Sequence, residues 1–255
     1  MKIIALSDMH GYLPVISQNC DVVCICGDVV PLSVQRNIPA SVEWMRKDFR
    51  GWCDSIDCKN IVIVAGNHDF VFETLSEDWY DIKNKEQKPS IPCWKDFQYD
   101  IDHYKDLSLH QYVEKVLNFS DRMVYLQDSI IEIDGKTFYG TPHIPELSGW
   151  AFYEPDEKLE DLFSMIPDKV DVLLTHSPGK FVNHTGVSLE KYTQPEYGSV
   201  VLTRCVQNKE IGLWLCGHVH SGNHHIEKYG NTLTANVSIK SEGYKVVYDP
   251  LVIEI

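Results

Sequence analysis

The chain of 255 residues has no apolar run of about 18 residues, so nothing in it reads as a bilayer-spanning helix. Its first strand-like run, Lys2 to Leu6, is too short for the apolar region of a secretory leader. Basic residues are few: 23 Lys and Arg stand against 37 Asp and Glu, a formal charge of -14. Bulk nucleic-acid binding rests on Lys and Arg neutralising phosphates, so that class of partner is not expected. Paired Cys-x-x-Cys blocks are missing, which removes the zinc-ribbon signature. Of the 8 cysteines, Cys24, Cys26 and Cys216 lie inside strand-like runs, where a free thiol packs as a small hydrophobe. No low-complexity tract or internal repeat is visible. What remains is ordinary globular composition, 44% hydrophobic and 24% charged, in a chain long enough for one large core. The expectation is a cytoplasmic protein without a membrane partner, folded as a single domain over residues 1–255.

Five short apolar runs carry the information: Lys2 to Leu6, Asp21 to Cys26, Asn60 to Ala65, Asp171 to Leu174 and Ile211 to Cys216. They are rich in Val and Ile and bounded by small residues, as strands covered on both faces are. Each is followed at once by metal-ligand chemistry: Asp8-Met9-His10, Gly27-Asp28, Gly66-Asn67-His68-Asp69, Thr175-His176 and Gly217-His218-Val219-His220. All five blocks therefore sit at strand carboxyl ends, where open α/β sheets bind their ligands. Residues two apart on an extended chain point the same way, so Asp8 with His10, and His218 with His220, converge. Asp28 offers two oxygens that can bridge two cations, and Asn67 offers a neutral carbonyl oxygen.

In this order the blocks resemble those of the calcineurin-like metallophosphoesterases, whose pattern runs Asp-x-His, Gly-Asp, Gly-Asn-His-Asp/Glu, His and Gly-His-x-His. The likeness is nearest to the branch of metallophosphoesterase-domain proteins, through Gly140-Thr141-Pro142, Gly149-Trp150-Ala151-Phe152, Leu174-Thr175-His176-Ser177-Pro178 and Ala235-Asn236-Val237-Ser238. The resemblance implies one metal held by Asp8, His10, Asp28 and His220 and another by Asp28, Asn67, His176 and His218. Asp28 then bridges them together with a water or hydroxide. His68 matches the family's active-site histidine, which faces the scissile phosphate and is not a ligand. Mn or Fe, with Zn as a variant, are the implied occupants. The implied activity is hydrolysis of phosphate esters, a diester of a small substrate such as a nucleotide being favoured over a monoester. Two alternatives are a metal-binding interaction scaffold with vestigial catalysis and a nuclease, the latter disfavoured by the acidic balance. One departure stands out: the family commonly has a carboxylate three residues after the bridging Asp, and this chain has Pro31. Either Asp69 or a backbone carbonyl is then expected to set the tautomer of His68, or His68 contributes less as a proton donor; Asp69 also reads as a cap for the segment after it.

Helical spacing marks Ala40 to Ser55, Leu107 to Phe119, Asp156 to Met165 and Glu196 to Gln207. Ile130 to Ile133 and Thr137 to Tyr139 around Asp134-Gly135 read as a β-hairpin. Leu233 to Val237 and Lys245 to Tyr248 also alternate like strands. Parallel-type and hairpin-type strands together, with the family resemblance, point to an α/β fold: an α/β/β/α sandwich of two mixed sheets flanked by helices. An insertion near residues 71–120 contains a long segment, Leu75 to Tyr104, read as a loop covering the active site. Its aromatics, Trp79, Tyr80, Trp94, Phe97, Tyr99 and Tyr104, read more readily as a small core than as a base-stacking platform. His143, His184, His224 and His225 are weaker candidates for lining the pocket, His143 the best of them.

Overall fold

The computed structural model describes residues 1–84, 104–180, 182, 185–187 and 196–255. The first sheet begins with four parallel strands in chain order, β1 (Lys2–Leu6), β2 (Cys20–Cys26), β3 (Cys58–Val64) and β4 (Met123–Tyr125). The second contains β5 (Ser129–Ile133), β6 (Lys136–Thr141), β7 (Lys169–Thr175), β8 (Glu210–Cys216), β9 (Glu227–Tyr229) and β10 (Thr232–Asn236), in the order β5-β6-β7-β8-β10-β9. Its middle strands are parallel, and β5 and β9 close its two edges antiparallel. The last strand, β11 (Leu251–Glu254), returns to pair antiparallel with β1.

Alternation along the strands sorts the core into layers. In β2, Val22, Cys24 and Cys26 face the second sheet, where they meet Phe138, Val172, Leu174, Leu213 and Leu215, all fully buried. Val23 and Ile25 face the other way, onto the helices α1 (Ile38–Trp44), α2 (Arg50–Ser55), α3 (Phe70–Asn84) and α4 (Leu109–Val116). The outer face of the second sheet, with Leu173 and Trp214, is covered by α5 (Asp156–Ser164) and α6 (Val200–Val206). The expected α/β/β/α sandwich is the observed one. Each fully buried Leu, Ile or Val in the inter-sheet layer contributes about 2 kcal/mol.

Local signals explain the boundaries. Ser108 and Gln111 form a reciprocal capping box that starts α4 two residues later than the apolar spacing suggests. Ser199 accepts from Leu202 N at 3.0 Å and likewise delays α6 to Val200. A π-helical turn, Met45–Phe49, joins α1 to α2 and keeps Val42, Met45 and Phe49 on the buried side. The Asp134-Gly135 hairpin is present, both residues having positive φ (49° and 76°), as a tight two-residue turn requires.

Two expectations need correction. Leu75 does not open a loop: Leu75 to Asn84 is the body of α3, with Val71, Phe72, Leu75 and Ile82 buried at helical spacing. Trp79 packs on the same core and donates to Leu107 O at 3.0 Å, while Tyr104 meets Tyr112 edge-on at 5.5 Å, so these two belong to the core; Tyr80, in the same expected set, is instead 54% exposed. Residues 85–103, including Trp94, Phe97 and Tyr99, lie outside the described residues. Second, Lys245 to Tyr248 is not a strand. It makes one isolated bridge, Lys240 with Val246, and joins neither sheet.

One half-buried acid outside the cage gives a pH signature. Burial raises Glu114 from the ordinary 4.5 to about 7, against a hydrogen bond donated by Tyr125 N at 2.9 Å. A carboxyl whose folded pKa is raised binds its proton more tightly when folded. The stability linked to it is complete below about 4.5 and is lost as pH rises through about 7. Glu114→Gln keeps the acceptor without the charge. Urea unfolding should therefore find the two proteins alike near pH 4 and the variant more stable near pH 8, and a difference independent of pH would contradict this assignment.

Candidate metal centre

Asp8 and His10 follow β1, Asp28 follows β2, Asn67 and His68 follow β3, His176 follows β7, and His218 and His220 follow β8. The carboxyl ends of three strands of one sheet and two of the other thus meet at one place. Backbone hydrogen bonds stitch these turns together, from Asp8 N to Gly27 O (3.0 Å), His10 N to Asp28 O (2.8 Å) and Gly217 N to His176 O (3.0 Å). Crowding leaves no room for side chains at two glycines. A Cβ on Gly66 would lie 2.4 Å from Asp28 Oδ1, and one on Gly217 would lie 2.0 Å from Ser7 Oγ. Asp8, His10, Asp28 and His218 all have positive φ (56°, 42°, 54° and 69°), a conformation that costs energy outside glycine and concentrates at functional sites.

Asp8, His10, Asp28 and His220 are buried, with one ligand atom of each lying within 4.8 Å of the others, a group that could hold a metal ion. His10 Nε2 is 3.2 Å from His220 Nε2 and 3.6 Å from Asp28 Oδ2, and His220 Nε2 is 3.4 Å from Asp8 Oδ1. Beside them, Asn67 Oδ1 lies 2.9 Å from His176 Nε2 and 2.8 Å from His218 Nδ1, and Asp28 Oδ1 lies 3.5 Å from His176 Nε2. All seven expected ligands and His68 therefore come together.

The tautomers fit a cation. His176 Nδ1 pairs with Cys26 O at 2.8 Å and His220 Nδ1 with Ser241 O at 3.0 Å, so those nitrogens carry the protons and donate them to the carbonyls. Each Nε2 lone pair is then turned inward, the arrangement by which metal-binding imidazoles are usually oriented. Inward lone pairs facing carboxylate and amide oxygens repel one another until a positive charge sits between them.

Protonation energetics agree. Burial lowers His10 to about 2, His218 to about 3 and His68 to about 4, leaving these rings uncharged at neutral pH. His176 is lowered for the same reason. Burial, and then the charges of Asp8 and Asp69, push Asp28 well above its ordinary value. Burial acts in the same direction on Asp8, but the adjacent His220 outweighs it and holds that carboxyl low. Burial opposes charge on His220, yet its hydrogen bond to Asp8 raises it.

Asp69 does not touch His68 through its side chain. Its carboxylate accepts from Val29 N, Val30 N and Gly66 N, each at 2.9 Å, and so clamps the β2 and β3 turns. The expectation that Asp69 or a backbone carbonyl orients His68 is therefore wrong: His68 Nδ1 is hydrogen-bonded to Gln35 Oε1. Gln35 lies in the turn before α1, seven positions after Asp28, and no local spacing marks it. Trp150 packs on the His68 ring at 4.4 Å and carries Arg36 on its own ring at 5.0 Å. Asn236, in one of the blocks behind the family resemblance, donates to Thr185 O and Val219 O, both at 2.8 Å, and anchors the His218–His220 turn.

The weaker histidines make other contacts. His143 Nε2 bonds to Asp128 Oδ2 at 2.8 Å, His224 stacks on Tyr248 at 4.3 Å, and His225 pairs with Glu227 at 3.2 Å. His184 lies outside the described residues. No described helix is long and apolar enough to cross a membrane.

A family model described as calcineurin-like phosphoesterase matches residues 1–222. The human protein named metallophosphoesterase domain-containing protein 1 is 27% identical over 264 residues, spanning 100% of this chain and 71% of that protein. A UPF0046 protein of Caenorhabditis elegans is 26% identical over 254 residues, covering 99% of this chain and 74% of its own length. Among solved structures, the phosphopantetheinyl hydrolase of Mycobacterium tuberculosis superposes with a TM-score of 0.49 at 12% identity, covering 95% of this chain and 90% of that one.

Asp28 and His220 both have a raised affinity for protons, so protons compete with a cation for this site. Calorimetric Mn titration in buffers of different ionisation enthalpy should therefore show proton release, with affinity falling as pH drops from about 8 to about 6. Binding that releases no proton and is flat over that range would contradict this charge assignment.

Proposed function

The chain belongs to the calcineurin-like phosphoesterase family, and from that premise we propose that it is a two-metal phosphodiesterase acting on a small ester, of nucleotide size or less. The observation that carries this reading is the double engagement of Asp28. Its Oδ2 lies 3.6 Å from His10 Nε2 and its Oδ1 3.5 Å from His176 Nε2, so one buried carboxylate belongs to both halves of the cluster. Asp8, His10, Asp28 and His220 are the proposed ligands of one ion, and Asp28, Asn67, His176 and His218 of the other. Oxygen and imidazole donors without thiolate suit Mn, Fe or Zn. Bound there, two cations supply a lowered pKa for a water between them and charge neutralisation for the phosphoryl oxygens.

The chain's own residues do the rest. Asp28 Oδ1 accepts from His68 N at 2.8 Å, which ties the turn carrying the active-site histidine to the shared ligand. His68 Nε2 lies 3.9 Å from Asp28 Oδ2, at the edge of the cluster, with Trp150 and Gln35 limiting its rotation. An anionic ester bound beside the ring would favour its charged form, so that Nε2 takes up a proton from solvent, and from there the ring is proposed to hydrogen-bond to, and protonate, the departing ester oxygen. Gln35 is neutral, so it steers the ring without stabilising an imidazolium as a carboxylate would. The acidic surface balance, -14 overall, favours a small ester over bulk nucleic acid as substrate.

Two experiments bear on this. Asp28→Ala should abolish Mn-dependent hydrolysis of phosphate esters together with metal uptake, whereas His68→Ala should retain metal and lose roughly 100-fold or more in turnover on alkyl esters but far less on aryl esters. Equal losses on both ester classes would exclude His68 as the proton donor, and metal-loaded protein inert on every mono- and diester would exclude hydrolysis. Independently, Gln35→Ala should reproduce the His68→Ala pattern in weaker form. Gln35→Glu should raise alkyl-ester turnover, because a carboxylate beside Nδ1 favours the protonated ring. Steady-state kinetics across a leaving-group series reads both.

A further inference from the structure

Tyr244 appears in none of the ligand blocks, yet the fold brings it to the mouth of the cage. It sits in a tight turn bracketed by the Lys240–Val246 bridge, in which Ser241 N donates to Lys245 O and Tyr244 N to Ser241 O, both at 2.8 Å. The carbonyl of Ser241 is also the group that orients His220. This turn therefore supports a cage residue and presents a ring to the cage at once.

The presentation is forced. Tyr244 has a φ of 60°, left-handed for a bulky aromatic residue, where packing alone would favour glycine or asparagine. Such outliers persist where the surroundings over-determine them, and they gather at functional sites. The ring centroid is 5.0 Å from those of both His10 and His220 and 6.4 Å from that of His68, edge-on to all three. It remains 41% exposed, so the ring walls the cage without being part of the core. Among the described residues its hydroxyl makes no hydrogen bond. A phenol is protonated at neutral pH, so the hydroxyl is a hydrogen-bond donor beside the cage. A cavity of about 230 Å³, lined by Glu146, Leu147, Tyr197, His218, Val219 and Glu242, opens beside the same turn, Glu242 standing two residues before Tyr244.

Resting on the phosphoesterase reading above, we propose that Tyr244 is a substrate-contact residue: its hydroxyl donates a hydrogen bond to a phosphoryl oxygen, and its ring closes the His10–His220 side. Small esters then enter along His218, and bulky ones are refused. The contact is to an anion, so its removal is expected to weaken phosphate binding about tenfold.

The test uses the full chain loaded with Mn, with inorganic phosphate affinity measured by calorimetry alongside kinetics on a methyl aryl phosphodiester and on a dinucleotide. Tyr244→Phe should retain metal and fold as the parent does, and bind phosphate about tenfold more weakly. Tyr244→Gly should show the same loss, and its kcat/KM for the dinucleotide relative to the methyl ester should rise at least about tenfold. Phosphate affinity unchanged in Tyr244→Phe, or an unchanged substrate ratio in Tyr244→Gly, would overturn the proposal while leaving the phosphoesterase reading intact. Parent protein that binds phosphate but hydrolyses no ester would overturn that reading and leave the Tyr244 comparison to be decided on phosphate affinity. Parent protein that binds no phosphate overturns both.

Discussion

Three carboxylates, those of Asp8, Asp28 and Asp69, are buried together at the meeting point of two sheets, and the rest of the architecture follows from how that charge is accommodated. Isolated burial of one ionised carboxyl is costly, and like charges in one dry pocket compound the cost. Each is answered differently. Asp69 is surrounded by backbone N–H donors of the β2 and β3 turns, Asp8 accepts from His218 N at 3.0 Å and leans on His220, and Asp28 has one backbone donor, that of His68. Asp28 is the least compensated and also the most central. A position that retains an under-compensated buried carboxylate is the natural seat of a cation, and the proposed bridging role rests on that imbalance.

Geometry of the supporting parts follows the same logic. The donors needed by the three acids are main-chain groups at strand ends, so the turns must approach one another closely. Gly66 and Gly217 permit this, and the positive φ of Asp8, His10, Asp28 and His218 is what such tight turns impose. The inter-sheet apolar layer fixes the strands whose ends form the cage. Its stability therefore holds residues far apart in the chain at distances near 3 Å, as with His10 and His220 at 3.2 Å.

Around the cage, three side chains refine its chemistry. Gln35 steers His68 without adding charge, Trp150 packs against the same ring, and Tyr244 meets the His10 and His220 rings edge-on. Replacing a carboxylate partner by an amide keeps direction and gives up electrostatic support for a charged ring. The proposed enzyme would then depend more on its cations and on intrinsic leaving-group ability than one with a charged histidine partner.

Much of this was legible in the linear chain. The candidate ligands could be picked out because each follows a strand by one to four residues, and strand periodicity alone places Asp8, His10, Asp28, Asn67, His176, His218 and His220 at carboxyl ends. The Asp134-Gly135 hairpin was readable for the same local reason, since two positive φ values select those residue types. Other features carried no local mark. The amphipathic spacing of α3 was masked by the aromatic and charged residues around it, and Lys245 to Tyr248 alternates like a strand but turns back on Ile239 to Ser241 instead of joining a sheet. Gln35 and Tyr244 reach the cage from turns whose sequence says nothing of their destination, Gln35 standing where Pro31 had removed the expected partner. Local composition determined which residues carry the chemistry, because ligand type and strand end are short-range properties. Only the packing of two sheets decided which side chains orient and wall the site, because those contacts join segments that share nothing but their place in space.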